Sequence, residues 1–520
     1  MTAYILPIEK PEKMVQIHIA RYDPDVDASP EVKTYTVPFV PTMTVIQALE
    51  YLWDQGEYIA FRSNCREFTC GSCAILINGE PSLACMTVLE DGMKLEPLSL
   101  FPTHRDLVVD QEQLLKKYAN LRLWPDNPRV CLDDFQVSHE TIKRYSDIYS
   151  RCVECYCCLE SCPSVAVDWE SYAGPMLMIQ LARVSEHPLD QEDRLKMALA
   201  NGLYLCTTCK KCEEVCPLTL SCPRDVTERF RAEAVERGIG LLPGHREVID
   251  RIKDTGKYTE AKGKPFLETV REKEKVDNPV DRVAFFVGCL ADLHLQDSAV
   301  ALLDVLRRNG VEVITPKEQI CCGSPLVRMG EIGLSEEVAL KNIEILENVG
   351  VERVVTLCAH CAFTMREDWS KILKKRKDRL PKFAVFDISE YLAKEIQINT
   401  EDLKPLEMSV TYHDPCYLNR GLGVSKEPRE LLTKIPGLKL VEMDKADRCC
   451  GGGGEVKDGA PQFAEAIASV KTKLIGETGA EAVVTGCPHC VEQIVEVSSA
   501  SGASYGCFNT VELLSRSYKG

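Results

Sequence analysis

Arg151 to Pro163 reads RCVECYCCLESCP, and its Cys152, Cys155, Cys158 and Cys162, closed by Pro163, give the spacing C-x2-C-x2-C-x3-C-P. Cys206, Cys209, Cys212 and Cys216, closed by Pro217, repeat it. In such a run three closely spaced thiolates take three corners of one 4Fe–4S cube, and the cysteine before proline ligates the other cube. The spacing assigns Cys152, Cys155, Cys158 and Cys216 to one cluster and Cys206, Cys209, Cys212 and Cys162 to its neighbour. Zinc also uses C-x2-C pairs, but two four-ligand runs that each end in Cys-Pro make poor zinc ribbons. Cys157 fits no ligand position and reads as a packing residue.

Upstream, Cys65, Cys70, Cys73 and, beyond a strand-like AILING segment, Cys85 form C-x4-C-x2-C…C, the plant-type 2Fe–2S spacing. Gly71 between two ligands suits a backbone that wraps a cluster closely. The elements that must hold this loop precede it. Residues 14–22 and 34–40 alternate apolar and polar side chains, the period of half-buried strands. Residues 44–55 carry helical spacing opened by Thr44 as N-cap. Two strands, a helix and a cysteine loop predict a small β-grasp domain.

From Arg282 the pattern changes to short apolar strands alternating with amphipathic helices, which predicts α/β units with parallel sheets. The order RVAFFVGC, DSAVALLDVLRRNG, VEVITP, SEEVALKNIEILENVG, ERVVTLC recurs as SVTYHDPC, EPRELLTKIPG, LKLVEM, APQFAEAIASVKTKLIGETG, AEAVVTGC. The cysteines recur with it. Cys289, Cys321, Cys322, Cys358 and Cys361 match Cys416, Cys449, Cys450, Cys487 and Cys490, displaced by about 128 residues. Cys289, Cys358, Cys416 and Cys487 each follow a strand, at the carboxyl edge where open α/β sheets bind ligands. Five thiolates per unit exceed what tetrahedral zinc or an ordinary cubane uses, so each unit is read as holding an unusual cluster, with disulfide storage as the plain alternative. Gly323 and Gly451 to Gly454 leave room for backbone to approach a bulky cofactor.

The whole is therefore multidomain, α+β and α/β: residues 1–115 a 2Fe–2S β-grasp domain, 116–253 a helical ferredoxin domain with two 4Fe–4S clusters, 254–281 a linker, and 282–400 and 401–520 the two α/β units. The polar stretch 254–281 reads as a surface linker between separable halves. The 520 residues fit two to four domains. The 26 cysteines lie in tight ligand-like groups, as in a reducing compartment. A net charge of −17 argues against nucleic acid. No apolar run reaches the roughly 20 residues of a membrane helix, and the first ten residues hold no signal-peptide core, which predicts a cytoplasmic protein. No strand–GxGxxG–helix unit is present to hold a dinucleotide or flavin.

RSNCREFTCGSCAILINGEPSLAC and LEPLSLFPTHRDLVVD, together with both cubane runs, resemble the iron–sulfur subunit of succinate dehydrogenase and fumarate reductase over about residues 14–235. Many members of that family lack one cysteine in the second run and carry a 3Fe–4S cluster there. Here Cys209 fills the place, so a full cube is expected. The two C-terminal units resemble cysteine-rich CCG domains, complete in both copies as in the catalytic subunit of heterodisulfide reductase. A succinate-dehydrogenase-like half fused to a heterodisulfide-reductase-like half resembles the thiol:fumarate reductase family.

The resemblance implies one 2Fe–2S cluster, two cubanes and two noncubane 4Fe–4S clusters, the last at the ten CCG cysteines as the catalytic site. It also implies a flavoprotein partner that carries FAD and interconverts fumarate and succinate, and thiol substrates, coenzymes M and B in the family. Two thiols would become a disulfide, and electrons would cross the cubanes and the 2Fe–2S cluster to the flavin. Two other readings stand beside it: an electron-transfer subunit linking a flavin dehydrogenase to menaquinone, and a non-catalytic cluster scaffold. Cys131, Cys157, Cys222 and Cys507 remain as packing residues. His360 and His489, matched in Cys358-Ala-His-Cys361 and Cys487-Pro-His-Cys490, could accept protons or hydrogen-bond a cluster sulfur, although exposed positions without a role are the simpler expectation.

Overall fold

The computed structural model of the chain describes residue 11 and residues 13–126, 137–503 and 505–520; Cys131 lies outside them. Contacts divide the chain into two compact units, residues 1–203 with 210–227, and residues 204–209 with 228–520.

The first unit opens with β1 (Lys13–Arg21) and β2 (Glu31–Phe39), followed after a helix by β3 (Ala74–Ile77), β4 (Glu80–Leu83) and β5 (Met93–Glu96). They form one sheet in the order β2-β1-β5-β3-β4. β1 runs parallel to β5, and the other pairs are antiparallel. The alternation read in the sequence puts Val15, Ile17, Ile19 and Val37 into one core with Val45, Ile46, Leu49 and Leu52 of the helix Val45–Asp54. Thr44 caps that helix, and its backbone N–H donates to Gln47 Oε1 at 2.8 Å. This is the expected β-grasp arrangement. The short hairpin β6 (Thr103–Arg105) and β7 (Val108–Val109) leads into helices around the cysteine runs. Among them, Pro175–Ser185 is buried on nearly every side. Pro163 begins the helix Pro163–Val167 directly after Cys162, which accounts for the Cys-Pro ending: proline lacks the N–H that a first helical residue leaves unused.

In the second unit β8 (Lys273–Glu274), β9 (Asp281–Phe286), β10 (Val311–Ile314), β11 (Arg353–Thr356) and β12 (Ala384–Asp387) form a sheet in the order β12-β11-β9-β10-β8. β13 (Met408–His413), β14 (Leu438–Leu440), β15 (Ala482–Thr485) and β16 (Gly506–Asn509) follow in the order β14-β13-β15-β16. β8 apart, all neighbours are parallel, and the two sheets share one topology in which the first strand lies between the second and the third. Both faces are covered, as parallel sheets require: Val283, Phe285 and Val287 enter one core, Ala284 and Phe286 the other. The C-terminal helix Thr510–Lys519 lies against Gln296–Arg308, where Ser515 donates to Asp304 at 2.9 Å. The two α/β repeats are thus joined through a common core.

Two expectations are corrected here. Stretch 254–281 is no surface linker: Tyr258, Phe266, Leu267 and Val270 are buried, and β8 pairs antiparallel with β10. Its few apolar residues are anchors. The ferredoxin-type half also does not run to residue 253. Glu228 onward belongs to the second unit, where Val248, Ile249 and Ile252 pack with Leu290, Leu326 and Met329. The buried Arg231 guanidinium donates there to the carbonyls of Arg328 (2.8 Å), Gly454 (3.0 Å) and Cys206 (2.8 Å). Among the described residues no helix is long and apolar enough to cross a membrane.

Candidate iron–sulfur cluster sites

In the first unit the loop of Cys65, Cys70 and Cys73 turns back on itself through positive φ at Arg66, Phe68 and Gly71. Those turns aim backbone N–H groups at sulfur: Glu67 and Cys70 donate to Cys65, and Phe68 donates to Cys85, each at 3.3 Å. Hydrogen bonding from Thr69, then from Glu67, pulls the Cys65 thiol down to about 6, whereas burial pushes Cys73 up to about 12. Four thiols with N–H groups converging on them suit the bridged irons of a 2Fe–2S centre. Gly71, at φ +67°, lets this loop meet the first cubane run. A Cβ there would lie 2.2 Å from the Val153 carbonyl oxygen.

Cys152, Cys155, Cys158 and Cys216 line one cavity of about 420 Å³, with Met176, Ile179 and Leu220 among its walls. The exchange read from the spacing, three thiols of one run with the last of the other, is what the structure brings together. Burial pushes Cys152 up to about 12 and Cys158 well above the ordinary thiol range. Thiolates in these walls need cations among them, which iron supplies. Cys212 and Cys222 also line the cavity. Cys157 is buried in the core beside Cys155. Of the second cubane set, Cys162 and Cys212 fall in the first unit and Cys206 and Cys209 in the second.

In the second unit Cys289, Cys321, Cys322, Cys358 and Cys361 all line one cavity of about 340 Å³. Cys289 and Cys358 stand beyond the ends of β9 and β11, where the chain leaves the first strand on opposite sides and an open sheet splays into a crevice. N–H groups again face sulfur: Tyr258 on Cys289 (3.4 Å), Gly323 on Cys321 and Ser324 on Cys322 (both 3.5 Å). In the repeat, Gly451 N–H donates to Cys449 at 3.4 Å, and Cys450 and Cys490 stand 3.4 Å apart, sulfur to sulfur. Cys449 lies beside Cys416 and Cys450, and Cys490 beside Cys487. No disulfide forms among the described residues.

The two sets also meet. Cys358 lies beside Cys487, its counterpart in the repeat. The rings of His360 and His489, likewise counterparts, lie 4.6 Å apart. Equivalent residues in mutual contact are the mark of an approximate twofold axis. The expectation of exposed, idle histidines fails: His360 is buried among Tyr417, His489 and the cavity, and burial pushes it down to about 3. At the far end of the second set, Cys209 lies beside Cys449. Cys507 lies in β16 and packs against the same apolar core.

Three features escaped the sequence reading. Glycines 453 and 454 leave room for protein: Cβ atoms there would lie 2.7 Å from the Thr207 carbonyl oxygen and 2.4 Å from that of Cys206. Gly323 faces Ser335 and Val338 of a neighbouring helix. At these three positions it is protein that an added side chain would meet. Arg328 is buried between Glu228 and Asp368 and lies over the ring of Tyr417 at 5.0 Å; Tyr417 shares a 2.7 Å hydrogen bond with Thr208. Tyr258 and Lys257, the latter paired with buried Asp292 at 2.8 Å, come from the stretch read as linker. A single aromatic or cation carries no periodic signal, so Arg328, Tyr258 and Lys257 did not stand out.

Residues 16–116 match the 2Fe-2S iron-sulfur cluster binding domain family, 148–220 the 4Fe-4S dicluster domain family, and 283–366 and 410–495 the Cysteine-rich domain (CCG) family. A subunit of the fumarate reductase (CoM/CoB) of Methanothermobacter marburgensis is 38% identical over 97% of this chain and 99% of its own. A subunit of the dihydromethanophenazine:CoB–CoM heterodisulfide reductase of Methanosarcina barkeri is 30% identical over 70% of this chain and 92% of its own. The fumarate reductase iron-sulfur subunit of Escherichia coli is 32% identical over 39% of this chain and 87% of its own.

Proposed function

The chain belongs to the family of that CoM/CoB-type fumarate reductase subunit, and from that membership we propose that it oxidises two thiols to a disulfide at its paired cysteine-rich units. The step releases two protons and two electrons as the S–S bond forms, and the electrons go to a flavoprotein that reduces fumarate to succinate with uptake of two protons. The thiols are those in the relative's name, coenzyme M and coenzyme B. Cys65, Cys70, Cys73 and Cys85 hold a 2Fe–2S cluster; Cys152, Cys155, Cys158 and Cys216, and Cys206, Cys209, Cys212 and Cys162, hold two cubanes; the two five-cysteine sets hold two noncubane clusters. When bound, these groups supply one-electron carriers that divide the two-electron thiol couple.

One observation carries this reading: an unbroken string of thiol contacts inside the second unit. It runs from Cys289 through Cys321, Cys322, Cys361, Cys358, Cys487, Cys490 and Cys450 to Cys449, which also meets Cys416, and on to Cys209. Both complete CCG sets and a thiol of the second cubane run thus lie in one buried sequence, as a two-electron site emptied by one-electron steps requires. The chain's own groups keep it in order. Backbone N–H groups of Tyr258, Gly323, Ser324 and Gly451 hold sulfur negative charge. Burial excludes water, and the Arg328–Glu228–Asp368 pairing fixes the aromatic wall of Phe363 and Tyr417.

Anaerobic iron and sulfide analysis is expected to give about 18 iron atoms per chain, and the complex with its flavoprotein to reduce fumarate only when both thiols are supplied. Iron near 10 per chain without a noncubane spectroscopic signature would overturn the CCG assignment. Reduction driven by a menaquinol analogue but by no thiol would favour the quinone-linked reading.

A further inference from the structure

The repeat is not symmetric around its thiols. β9 ends on Phe286 and β13 on His413, each three residues before the first cysteine of its set. His413 is 1% exposed, and one of its ring nitrogens lies within 4.8 Å of the sulfurs of both Cys450 and Cys490. Its Nδ1 stands 3.2 Å from the Ala446 carbonyl oxygen, while Nε2, equally buried, has no hydrogen-bond partner. A carbonyl accepts and cannot donate, so the proton is on Nδ1 and Nε2 keeps its lone pair. That is the tautomer in which histidine binds metal, with the second nitrogen donating to a backbone carbonyl.

The carbonyl is held in turn. Lys471, fully buried, donates from Nζ to Ala446 O at 2.8 Å and to Lys445 O at 3.1 Å. Lys471 precedes Cys487 by as many residues as Asn342 precedes Cys358, and Asn342 is a neutral amide that binds the carbonyl of Cys321 at 2.9 Å. The second set therefore has imidazole and ammonium where the first has phenyl and amide. Burying an imidazole nitrogen without a partner costs free energy, and a ligand beside Cys450 and Cys490 removes that cost.

We infer that His413, through Nε2, is an iron ligand of the cluster held by the second cysteine-rich unit, and that the first unit's cluster has no such nitrogen. The inference rests on the cluster assignment proposed above. Lys471 acts as a positioning residue, through Ala446. A neutral nitrogen ligand on iron raises an iron–sulfur potential above that of an all-thiolate set, so the two noncubane clusters would differ, the second being reduced first.

The test uses the full chain purified anaerobically from cells grown on 15N-histidine. Electron–nuclear double resonance is expected to show one strongly coupled nitrogen on one noncubane cluster. His413→Phe, which copies the first unit, is expected to remove that coupling, keep the iron content and lower one midpoint potential. Lys471→Asn should weaken the coupling without removing it. A wild-type spectrum lacking a directly bound nitrogen overturns the inference, as does coupling that persists in H413F or vanishes only on His360→Phe or His489→Phe. Should H413F not fold, the wild-type spectrum and His413→Gln decide the matter in the same way. Iron analysis on the same sample separates the cases: about 10 iron atoms per chain overturns the cluster reading and the ligand together, whereas a full complement without nitrogen coupling overturns the ligand alone.

Discussion

Replacing Gly71 by alanine tests how the 2Fe–2S loop meets the first cubane run. Gly71 has φ +67°, and the added Cβ would lie 2.2 Å from Val153 O and 3.1 Å from Cys155 N and Cα. The obstacle is backbone, so no side chain can swing aside; the loop must retreat by about 1 Å to reach ordinary contact. The left-handed conformation costs a non-glycine residue about 1–2 kcal/mol, and overpacking adds about 1–3 kcal/mol. The sum is about 2–5 kcal/mol. Gly79 is the control, with φ +80° and nothing within 4 Å of its missing Cβ, so Gly79→Ala pays the conformational part alone. With a urea dependence of about 2 kcal/mol per molar, G71A should bleach its 2Fe–2S absorbance at about 1–2.5 M less urea than the parent, and G79A at about 0.5–1 M less. The magnetic interaction between the reduced 2Fe–2S centre and its neighbour should weaken in G71A only. Equal midpoints for the two variants would refute the close approach.

Two further outcomes follow from single residues. Cys216→Ser should cost the first cubane, about four iron atoms per chain, while Cys222→Ser should keep it, because Cys222 falls outside the ligand spacing of both runs; loss of the cluster in C222S would place the ligand wrongly. Asp387 is wholly buried, accepts the Ser389 N–H at 2.8 Å and leaves Oδ2 unpaired, and burial pushes its carboxyl up to about 7. The folded chain then keeps a proton that the unfolded chain releases near pH 4, so its contribution is intact below about pH 4 and is lost as pH rises through 7. At about 1.4 kcal/mol per pH unit the loss reaches about 4 kcal/mol. Asp387→Asn, an equally good cap, should flatten stability between pH 5 and 8 and exceed the parent at pH 8 in urea titrations; identical pH profiles would refute the assignment.

The cysteine spacings were legible because a cluster's ligands sit on short loops whose geometry is local, so C-x2-C-x2-C-x3-C-P carries its meaning without the fold. The helices 296–308, 332–348 and 461–477 were legible from their apolar period. What failed was long-range. Phe266, Leu267 and Val270 are three apolar residues in a polar run, too few to show a period, and only the sheet they cover makes them core. β12 and β16 are four residues each and are set by pairing with β11 and β15. Arg328 finds Glu228 and Asp368 far along the chain, so its burial could not be read locally. His413 was passed over because the repeat was aligned by its cysteines alone. Its significance lies in a difference between the copies.

That difference belongs to a wider one. After the adjacent cysteines the first repeat reads GSP and the second GGGG. In the first, the chain turns at once into the helix Ser324–Met329. In the second, Gly453 and Gly454 stay bare, and backbone of residues 206 and 207 lies where their side chains would be. Arg231 fastens the same joint by binding the carbonyls of Gly454 and Cys206 at once. The two thiol sets are equivalent in sequence, but only the second is fitted at its glycines to a piece of the cubane run, with Cys209 against Cys449. The string of thiols accordingly has Cys209 of a cubane run at one end, and a cavity edged by Tyr258, Pro325 and Pro488 along the whole first set. Under the function proposed above, the end that meets Cys209 would be the exit for electrons and the cavity along the first set the entrance for thiols. A ligand that raises the potential of the second cluster, as proposed for His413, would draw electrons toward that exit.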